Sequence, residues 1–527
     1  MLNFEKFGCN RLTNVFQHPP SSNLWYIQSH IEIIEINMTL ARCKTYAWLW
    51  AALTVMLVMS ACSSPRPTYI IPETQQTETE VLPTSTPFPT RPAYQPGTLV
   101  DYIAQSGDTL PLLAVRFNTT EEQIRQANPE IPDSATTMPP GFPMKIPIYA
   151  RALWGTSYQI IPDSAFVYGP DLIGFDLRTF IDSTSGWFKD YRYYMQNADR
   201  DAAALLELIA ENYSINPRLL LALLEYRAQA LTNPEHEPAL EVNILMPEHS
   251  YTGVYRQLAH TADLLNDAYY RYRQGEIITI EHLNGEIENI DPWQNAGTAA
   301  LQIYFSQFLD GEDYKRAIGP DGLAKTYQEL FGDPWAGNTT VLPGSLVQPD
   351  FILPFKQGQT WSYTGGPHTA WGNLRPWAAI DFAPPMTTQG CVETNEFALA
   401  VADGVIARVA DGIVVLDLDG DGDERTGWVV FYLHIAAKDR IVVGTVVQQG
   451  DPIGHPSCEG GTSTGTHVHI ARKYNGEWIP AVGVIPFNLE GWTPIEGSTA
   501  YEGKLVRGSE EVIASTRSAS FSMITRK

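Results

Sequence analysis

The stretch Gly465-Thr466-His467-Val468-His469 decides how the C-terminal part of this chain is interpreted. It predicts a β-strand, in which side chains two positions apart point to the same face. The imidazoles of His467 and His469 therefore meet one small volume. Two converging imidazoles indicate a metal site or a proton-transfer site.

The sequence around this stretch is typical of an antiparallel all-β domain. From Leu353 onward the chain has short β-rich runs, such as 404–409 and 427–433, separated by turn signals at roughly eight- to twelve-residue intervals. We predict the β domain over residues 350–500 and a C-terminal tail over residues 501–527.

A further histidine and a carboxylate are candidates for the same site, because catalytic zinc takes three protein ligands and keeps an open position. His368 follows Gly365-Gly366-Pro367 and is predicted to open a loop. Asp381 stands among apolar neighbours in a strand-like run, where a carboxylate is costly unless it is paired or bound to a metal. A solvent-facing Asp381 on a half-buried strand is the alternative.

Two other histidines suit proton transfer. His434 stands at a strand end, and His467 is the partner of His469 in the opening stretch. One of them can take a proton from an attacking water, and the other can donate to a developing oxyanion. A lone histidine at a strand end is more often structural, but four histidines and one aspartate in a single β domain make that alternative less attractive.

These residues, in their order along the chain, resemble the lysostaphin-type zinc metalloendopeptidases, also called the LytM family, which cut peptidoglycan peptides. The order is His368, Asp381, Tyr432-Leu433-His434 and Gly465-Thr466-His467-Val468-His469. Most members place the first histidine four positions before the aspartate, where this chain has Trp377. The LasA and beta-lytic subgroup spaces these two residues widely, much as His368 and Asp381 are spaced here.

The resemblance implies a complete site with one Zn²⁺ per chain. Zinc is expected on His368, Asp381 and His469, while His434 and His467 polarise water and stabilise the tetrahedral intermediate. In such a site a bound water with a pKa of ~7 attacks an amide carbonyl. The implied substrate is the stem peptide or the cross-bridge of peptidoglycan.

Residues 99–150 predict a compact βααβ unit. Asp108 is expected to cap its first helix, and Thr120 with Gln123 forms a capping box for the second. The unit resembles a LysM module, which binds N-acetylglucosamine-containing glycans such as peptidoglycan. The residues that carry this resemblance are Gln105-Ser106-Gly107-Asp108-Thr109-Leu110, Phe117, Thr120, Ile124, Asn128-Pro129 and Gly141. A small spacer that binds nothing is the alternative.

Residues 160–345 predict a mainly α-helical middle domain of unclear role, because leucines recur there at helical spacing. The run 213–225 faintly resembles lytic transglycosylases, with Glu225 as the candidate acid. That family places its catalytic Glu before a Ser slightly farther along, where this chain has Arg227-Ala228. A helical scaffold or an inactive wall-binding domain is the preferred interpretation, and glycan cleavage through Glu225 is the alternative.

Residues 1–61 predict an upstream extension and an export signal, in which Met38 is a better start than Met1. The signal ends at Ser60-Ala61-Cys62, which resembles the lipobox of bacterial lipoproteins and implies a lipid on Cys62. Plain secretion and an uncleaved anchor are the alternatives. Residues 62–98 then predict a disordered Pro/Thr-rich linker. The expected location is the cell envelope outside the cytoplasm.

Charge and cysteine usage agree with export. A formal net charge of -24 argues against nucleic acid as a partner, because phosphate binding needs a basic surface. Cys391 and Cys458 are expected to pair in an oxidising compartment, with two buried thiols as the alternative.

An acidic run also begins like a calcium loop, through Asp417, Asp419, Asp421 and Asp423. An EF-hand needs Glu at its twelfth position, where this chain has Trp428. A solvated hairpin turn is therefore the preferred interpretation, with weak Ca²⁺ binding as the alternative.

The predicted fold class is multidomain: a LysM βααβ module, a mainly α-helical middle domain and a C-terminal antiparallel all-β metallopeptidase domain. The predicted function is a zinc-dependent peptidoglycan endopeptidase, with the glycan held by LysM, the peptide held by the β domain and the membrane reached through the lipid. The main alternative is a non-catalytic wall-binding protein or an activator of another wall hydrolase.

Overall fold

The computed structural model describes residues 88–89, 91–149, 154–195, 197–235, 244–245, 251–337, 339–386 and 388–527. The predicted export signal, the candidate start Met38, the candidate lipid site Cys62 and most of the linker lie outside the described residues. Among the helices in the described ranges, none is long and apolar enough to cross a membrane.

The N-terminal module is a βααβ unit, as predicted. Its elements are β1 (Thr98–Ile103), α1 (Leu110–Phe117), α2 (Glu121–Ala127) and β2 (Pro143–Ile148), with β1 antiparallel to β2. The prediction that Asp108 caps α1 is wrong, because the side chain of Thr109 accepts the hydrogen bond from the Leu112 amide. The carboxylate of Asp108 is buried instead, where it accepts from the Tyr102 hydroxyl and pairs with Arg116.

The middle domain is mainly helical. Its helices are α3 (Leu177–Ser183), α4 (Ala202–Tyr213), α5 (Pro217–Ala228), α6 (Val254–Arg273), α7 (Ala296–Ser306), α8 (Gly311–Ile318) and α9 (Leu323–Phe331). Short 3-10 turns cover Asp163–Ala165, Pro170–Leu172 and Trp187–Asp190, and two hairpins pair β3 (Arg192–Met195) with β4 (Ala198–Asp201) and β5 (Thr279–Glu281) with β6 (Ile287–Asn289). Asp201 caps α4 by accepting from the Ala204 amide, and Pro217 opens α5, where a missing N–H costs nothing.

The C-terminal domain is built on one antiparallel sheet. Its strands are β7 (Thr360–Thr369), β8 (Trp377–Ala383), β9 (Ala398–Leu399), β10 (Gly404–Ala410), β11 (Ile413–Asp417), β12 (Trp428–Leu433), β13 (Val446–Val447), β14 (Pro452–Gly454), β15 (Val468–Tyr474), β16 (Glu477–Trp478), β17 (Thr493–Glu496), β18 (Gly503–Arg507), β19 (Glu510–Ile513) and β20 (Met523–Thr525). The main sheet has the order β13-β10-β11-β12-β15-β8-β7-β20, with β16 paired to β15. Smaller sheets join β14 to β9 and β17 to β18 and β19.

The predicted C-terminal tail is part of this domain. Strand β18 buries Leu505 and β19 buries Val512, and β20 extends the main sheet by pairing with β7. A short 3-10 turn, Ser520–Ser522, precedes β20. Sequence reasoning separated these residues because the strands are short and their partners lie far away along the chain.

The two faces of the main sheet pack against different parts of the molecule. Side chains such as Ile380, Phe382 and Ile470 fill the core of the β domain itself. Side chains on the opposite face, such as Phe431 and Ala471, share one hydrophobic core with the middle domain. The helices therefore cover one face of the sheet directly.

The LysM module is fastened to the segment 341–346, which follows the middle domain. Ser106 Oγ accepts from the Leu342 amide at 2.7 Å, and the Thr137 backbone carbonyl accepts from the Ser345 amide at 2.9 Å. The hydroxyls of Thr136 and Thr137 donate to the carbonyls of Leu346 and Pro343 at 2.8 and 2.7 Å. This segment fixes the module to the rest of the chain through polar contacts on two of its loops.

Candidate metal centre

The strand register brings two of the predicted ligands together. β15 pairs with β8 so that His469 lies directly opposite Asp381, and β12 pairs with β15 so that Leu433 lies opposite His469. His469 and Asp381 alternate with the core residues Ile470 and Ile380. Both side chains therefore point to the sheet face that the middle domain covers.

His368 reaches the same point from β7. The prediction that it opens a loop is wrong, because His368 lies inside β7 and pairs with Ala379 of β8. Irregular register on both sides of His368 lets the strand continue through the Gly-Gly-Pro sequence. Gly365 is required there, since a Cβ at that position would collide with the carboxylate of Asp381.

Three donor atoms converge within one small volume. His368 Nε2 lies 2.9 Å from His469 Nδ1 and 3.2 Å from Asp381 Oδ1, and His469 Nδ1 lies 3.3 Å from Asp381 Oδ1. Ligands about 2.1 Å from a tetrahedral zinc ion lie about 3.4 Å from one another. The spacing of these three atoms therefore fits one small tetrahedral cation.

Backbone contacts determine the tautomers of both histidines. His368 Nδ1 donates to the Gly366 carbonyl at 2.8 Å, and His469 Nε2 donates to the Ala370 carbonyl at 3.1 Å. The nitrogens that face each other consequently carry lone pairs and no protons. This arrangement, in which the outer ring nitrogen bonds a carbonyl, is the usual one for imidazoles that bind metals.

One oxygen of the buried Asp381 carboxylate lacks a hydrogen-bond donor among the described residues. Asp381 is 5% exposed, and within the described part of the chain its Oδ1 accepts no hydrogen bond. Burial alone would raise the pKa of Asp381, but positive charge on the rings of His368 and His467, when these are protonated, outweighs burial and holds that pKa well below its usual range. An anionic oxygen facing two lone pairs matches a cation site.

The two predicted proton-transfer histidines flank this cluster. His434 follows β12 with a φ of 64°, and its ring lies 4.5 Å from the ring of His467, centroid to centroid. His434 Nδ1 donates to the Glu459 carbonyl and His467 Nδ1 to the Gly465 carbonyl, each at 2.8 Å. Nε2 of both rings is left for chemistry, and Nε2 of His467 lies 3.7 Å from Asp381 Oδ2.

Burial also affects protonation at this edge of the site. It lowers the pKa of His434 to about 3, with further lowering by the neighbouring rings of His467 and His469. Burial likewise lowers the pKa of His469. Both rings are neutral in the protein at ordinary pH.

Sequence reasoning missed Tyr501, which stands over the site. Its ring stacks on His368 with the centroids 4.1 Å apart, and its backbone exchanges hydrogen bonds with Gly366 and Pro367. No local pattern signals this contact, because Tyr501 arrives from the loop between β17 and β18.

A disulfide lies beside the two flanking histidines. Cys391 and Cys458 are bonded, and the bond borders a cavity of 340 Å³ whose lining includes Ser457 and Thr466. The Ser457 amide donates to the His434 carbonyl at 2.7 Å. The disulfide thus connects the loop after β8 to the loop between β14 and β15. That second loop bonds His434 through Ser457 and Glu459 and ends at His467.

The acidic run and Glu225, the two other predicted sites, have carboxylates that are partly or fully engaged by neighbouring groups. In the acidic run, Asp417, Asp419 and Asp421 have converging carboxylate oxygens, but Asp423 pairs with Arg425. The middle-domain candidate Glu225 accepts hydrogen bonds from the Leu231 amide and the Thr232 hydroxyl. Its carboxylate therefore closes the turn after α5.

Two domain models match the chain. A LysM domain matches residues 102–147, and the family described as LasA, N-terminal domain, matches residues 159–344. The second match covers the helical middle domain.

Curated relatives extend the likeness into the β domain. Protease LasA of Pseudomonas aeruginosa is 25% identical over 342 residues, which cover 61% of this chain and 75% of LasA. Beta-lytic metalloendopeptidase of Achromobacter lyticus is 26% identical over 174 residues, which cover 32% of this chain and 42% of that protein.

Among solved structures, the deep-sea M23 metalloprotease pseudoalterin has a TM-score of 0.28 and 23% identity, covering 32% of this chain and 96% of its own. The chain thus joins a LysM domain to a LasA N-terminal domain, and it is a homologue of LasA and of the beta-lytic metalloendopeptidase, as its wide spacing of histidine and aspartate predicts.

Proposed function

We propose that this protein is a zinc endopeptidase that hydrolyses the peptide part of peptidoglycan. The observation that carries the proposal is the convergence of His368 Nε2, Asp381 Oδ1 and His469 Nδ1 around one point. Homology to proteins named as a protease and as a metalloendopeptidase supports the same reaction class.

The residues have separate tasks in this proposal. His368, Asp381 and His469 hold the zinc ion, which when bound supplies Lewis acidity toward a water and a carbonyl oxygen. His434 and His467 each present Nε2 toward the site, since their Nδ1 atoms are engaged by backbone carbonyls. One ring accepts the proton of the attacking water at Nε2, and the other, in its doubly protonated form, donates from Nε2 to the carbonyl oxygen as it becomes negative.

The LysM domain supplies the link to the wall. We propose that it binds the glycan while the β domain binds the peptide, so that the enzyme stays on its insoluble substrate. The lipid predicted on Cys62 would add a membrane anchor. Weak Ca²⁺ binding at the acidic run stays a secondary proposal, favoured only by the converging oxygens of Asp417, Asp419 and Asp421.

Metal content and wall digestion together test the enzyme. The purified protein is expected to contain one zinc per chain, and mass spectrometry of digested sacculi is expected to show cleaved peptides and intact glycan. His469→Ala should lose both zinc and cleavage, whereas His434→Ala should keep the zinc and lose most of the cleavage.

The alternative functions give other results. Binding to sacculi without cleavage, by a protein free of zinc, would identify a wall-binding protein or an activator. Cleaved glycan that persists after chelation and disappears in Glu225→Gln would identify a glycan-cleaving enzyme.

A further inference from the structure

The wide spacing between His368 and Asp381 leaves room for a loop that contacts the metal centre through His469. This loop, residues 370–376, joins β7 to β8. Its first residue, Ala370, has the carbonyl that accepts the Nε2 proton of His469 at 3.1 Å. The Ala370 amide donates to the Pro376 carbonyl at 3.1 Å, which closes the base of the loop.

The middle domain holds the tip of this loop. Asp263 of α6 is buried, and its two carboxylate oxygens each lie 3.2 Å from the Asn373 amide. Its Oδ1 also lies 3.3 Å from the Leu374 amide. One turn later Asp267 Oδ1 accepts from the Arg375 amide at 3.3 Å. Three successive amides of the loop thus donate to carboxylates of one helix, and such charge-assisted bonds are stronger than neutral ones.

At position 372 the loop lies so close to the middle domain that no side chain fits there. Gly372 has a φ of 93°, and a Cβ there would collide with Asp263 Oδ1 and lie 2.9 Å from Tyr213 Cε1. The loop and the helical domain are therefore fitted to each other at this point.

The helix that carries Asp263 is itself fixed to the sheet. Leu258 and Leu265 of α6 belong to the same hydrophobic core as Phe431 of β12. The Tyr270 hydroxyl, also on α6, accepts from the Trp478 amide at 2.9 Å. Asp263 consequently acts from a rigid support that spans both domains.

We propose that Asp263 is a positioning residue for the metal centre: by holding residues 373–374 it fixes the Ala370 carbonyl, which in turn fixes the tautomer and the direction of His469. The inference rests on the proposed function, since it needs His469 to bind metal. It assigns the middle domain a part in metal binding. Loss of an outer partner of a metal-binding histidine typically weakens metal affinity by about 10- to 100-fold.

The test compares zinc affinity in two variants of the full chain. Asp263→Ala is expected to weaken zinc binding by about 10-fold or more in a chelator competition, to lower kcat with little change in KM, and to alter the visible spectrum of the cobalt-substituted protein. Asp263→Asn keeps an acceptor oxygen but no charge, so its effect should be smaller. If Asp263→Ala fails to fold, the zinc affinity of Asp263→Asn decides whether Asp263 positions the metal centre.

A matched control separates positioning from general stability. Asp201→Ala removes the cap of α4 and the ion pair with Arg178, so it should lower Tm and leave zinc affinity unchanged. Wild-type zinc affinity and cobalt spectrum in a folded Asp263 variant would overturn the inference while leaving the proposed function intact. A wild-type protein that binds no zinc would overturn the proposed function itself.

Discussion

Asp381 shows what the proposed metal site requires of a single residue. Its Oδ1 is buried and faces the lone pairs of two imidazoles. A buried polar atom without a partner costs about 1–3 kcal/mol, and more when it is charged. Without a cation the three donor atoms repel one another, so the same residues that would bind zinc destabilise the metal-free fold.

Metal removal is therefore expected to lower thermal stability. Zinc at about 1,000 times its Kd stabilises a fold by about 4 kcal/mol, so chelation should produce a clear fall in Tm by differential scanning fluorimetry. In Asp381→Ala, which removes the carboxylate, Tm should be nearly the same with chelator and with zinc. An unchanged Tm in the chelated wild-type protein would contradict this view of the cluster.

At the scale of elements, the two-residue periodicity of β-strands predicted part of the candidate site. Two-residue periodicity predicted that His467 and His469 share one face, because it depends only on local geometry. In the structure His469 lies in β15, and His467 immediately precedes that strand. The same logic failed for His368, where Gly-Gly-Pro predicted a loop and β7 continues through an irregular register. Local signals also could not show Tyr501 stacked on His368, since that contact joins residues far apart in sequence.

The Cys391–Cys458 disulfide should make a measurable contribution to the free energy of unfolding. It closes a loop with a sequence separation of 67 residues, for which chain entropy predicts about 4 kcal/mol of stabilisation. The double variant Cys391→Ser, Cys458→Ser should lower the denaturant midpoint and reduce cleavage, because the loop beside His434 loses its tie. Reduction of the wild-type protein should have the same effect, while reductant added to the double variant should change nothing.

At the scale of the molecule, the helices share one hydrophobic core with one face of the sheet. Sequence patterns predicted a helical domain and a β domain separately, because each pattern is local. They could not show that the face bearing Phe431 and Ala471 is covered by helices, since both faces of a buried strand are apolar. The role of the middle domain was unpredictable for that reason.

The junction between the domains should respond to pH. Burial raises the pKa of Glu211 on α4 to about 7; Arg408 opposes the rise, Glu424 and Glu207 add to it, and Lys473 opposes it. The folded state thus binds this proton more tightly than the unfolded state, so stability falls as pH rises from about 4.5 to about 7.

Glu211→Gln should remove this dependence. Relative to wild type, its Tm is expected to rise progressively between pH 5 and pH 8, by an amount worth about 1–3 kcal/mol. The check is a series of thermal melts across that range. Parallel Tm curves for the two proteins would contradict the assignment of the proton to Glu211.

The attachment of LysM to the segment 341–346 has a consequence for where the wall is cut. With Ser106 and Thr137 bonded to that segment, the proposed function implies that a glycan strand on the module and a peptide at the metal centre are held in a fixed relative orientation. Rigid two-site binding is strong only when the substrate matches the spacing of the two sites. We expect the protein to select a peptide by its distance from the LysM-bound part of the glycan strand as well as by the sequence of the peptide.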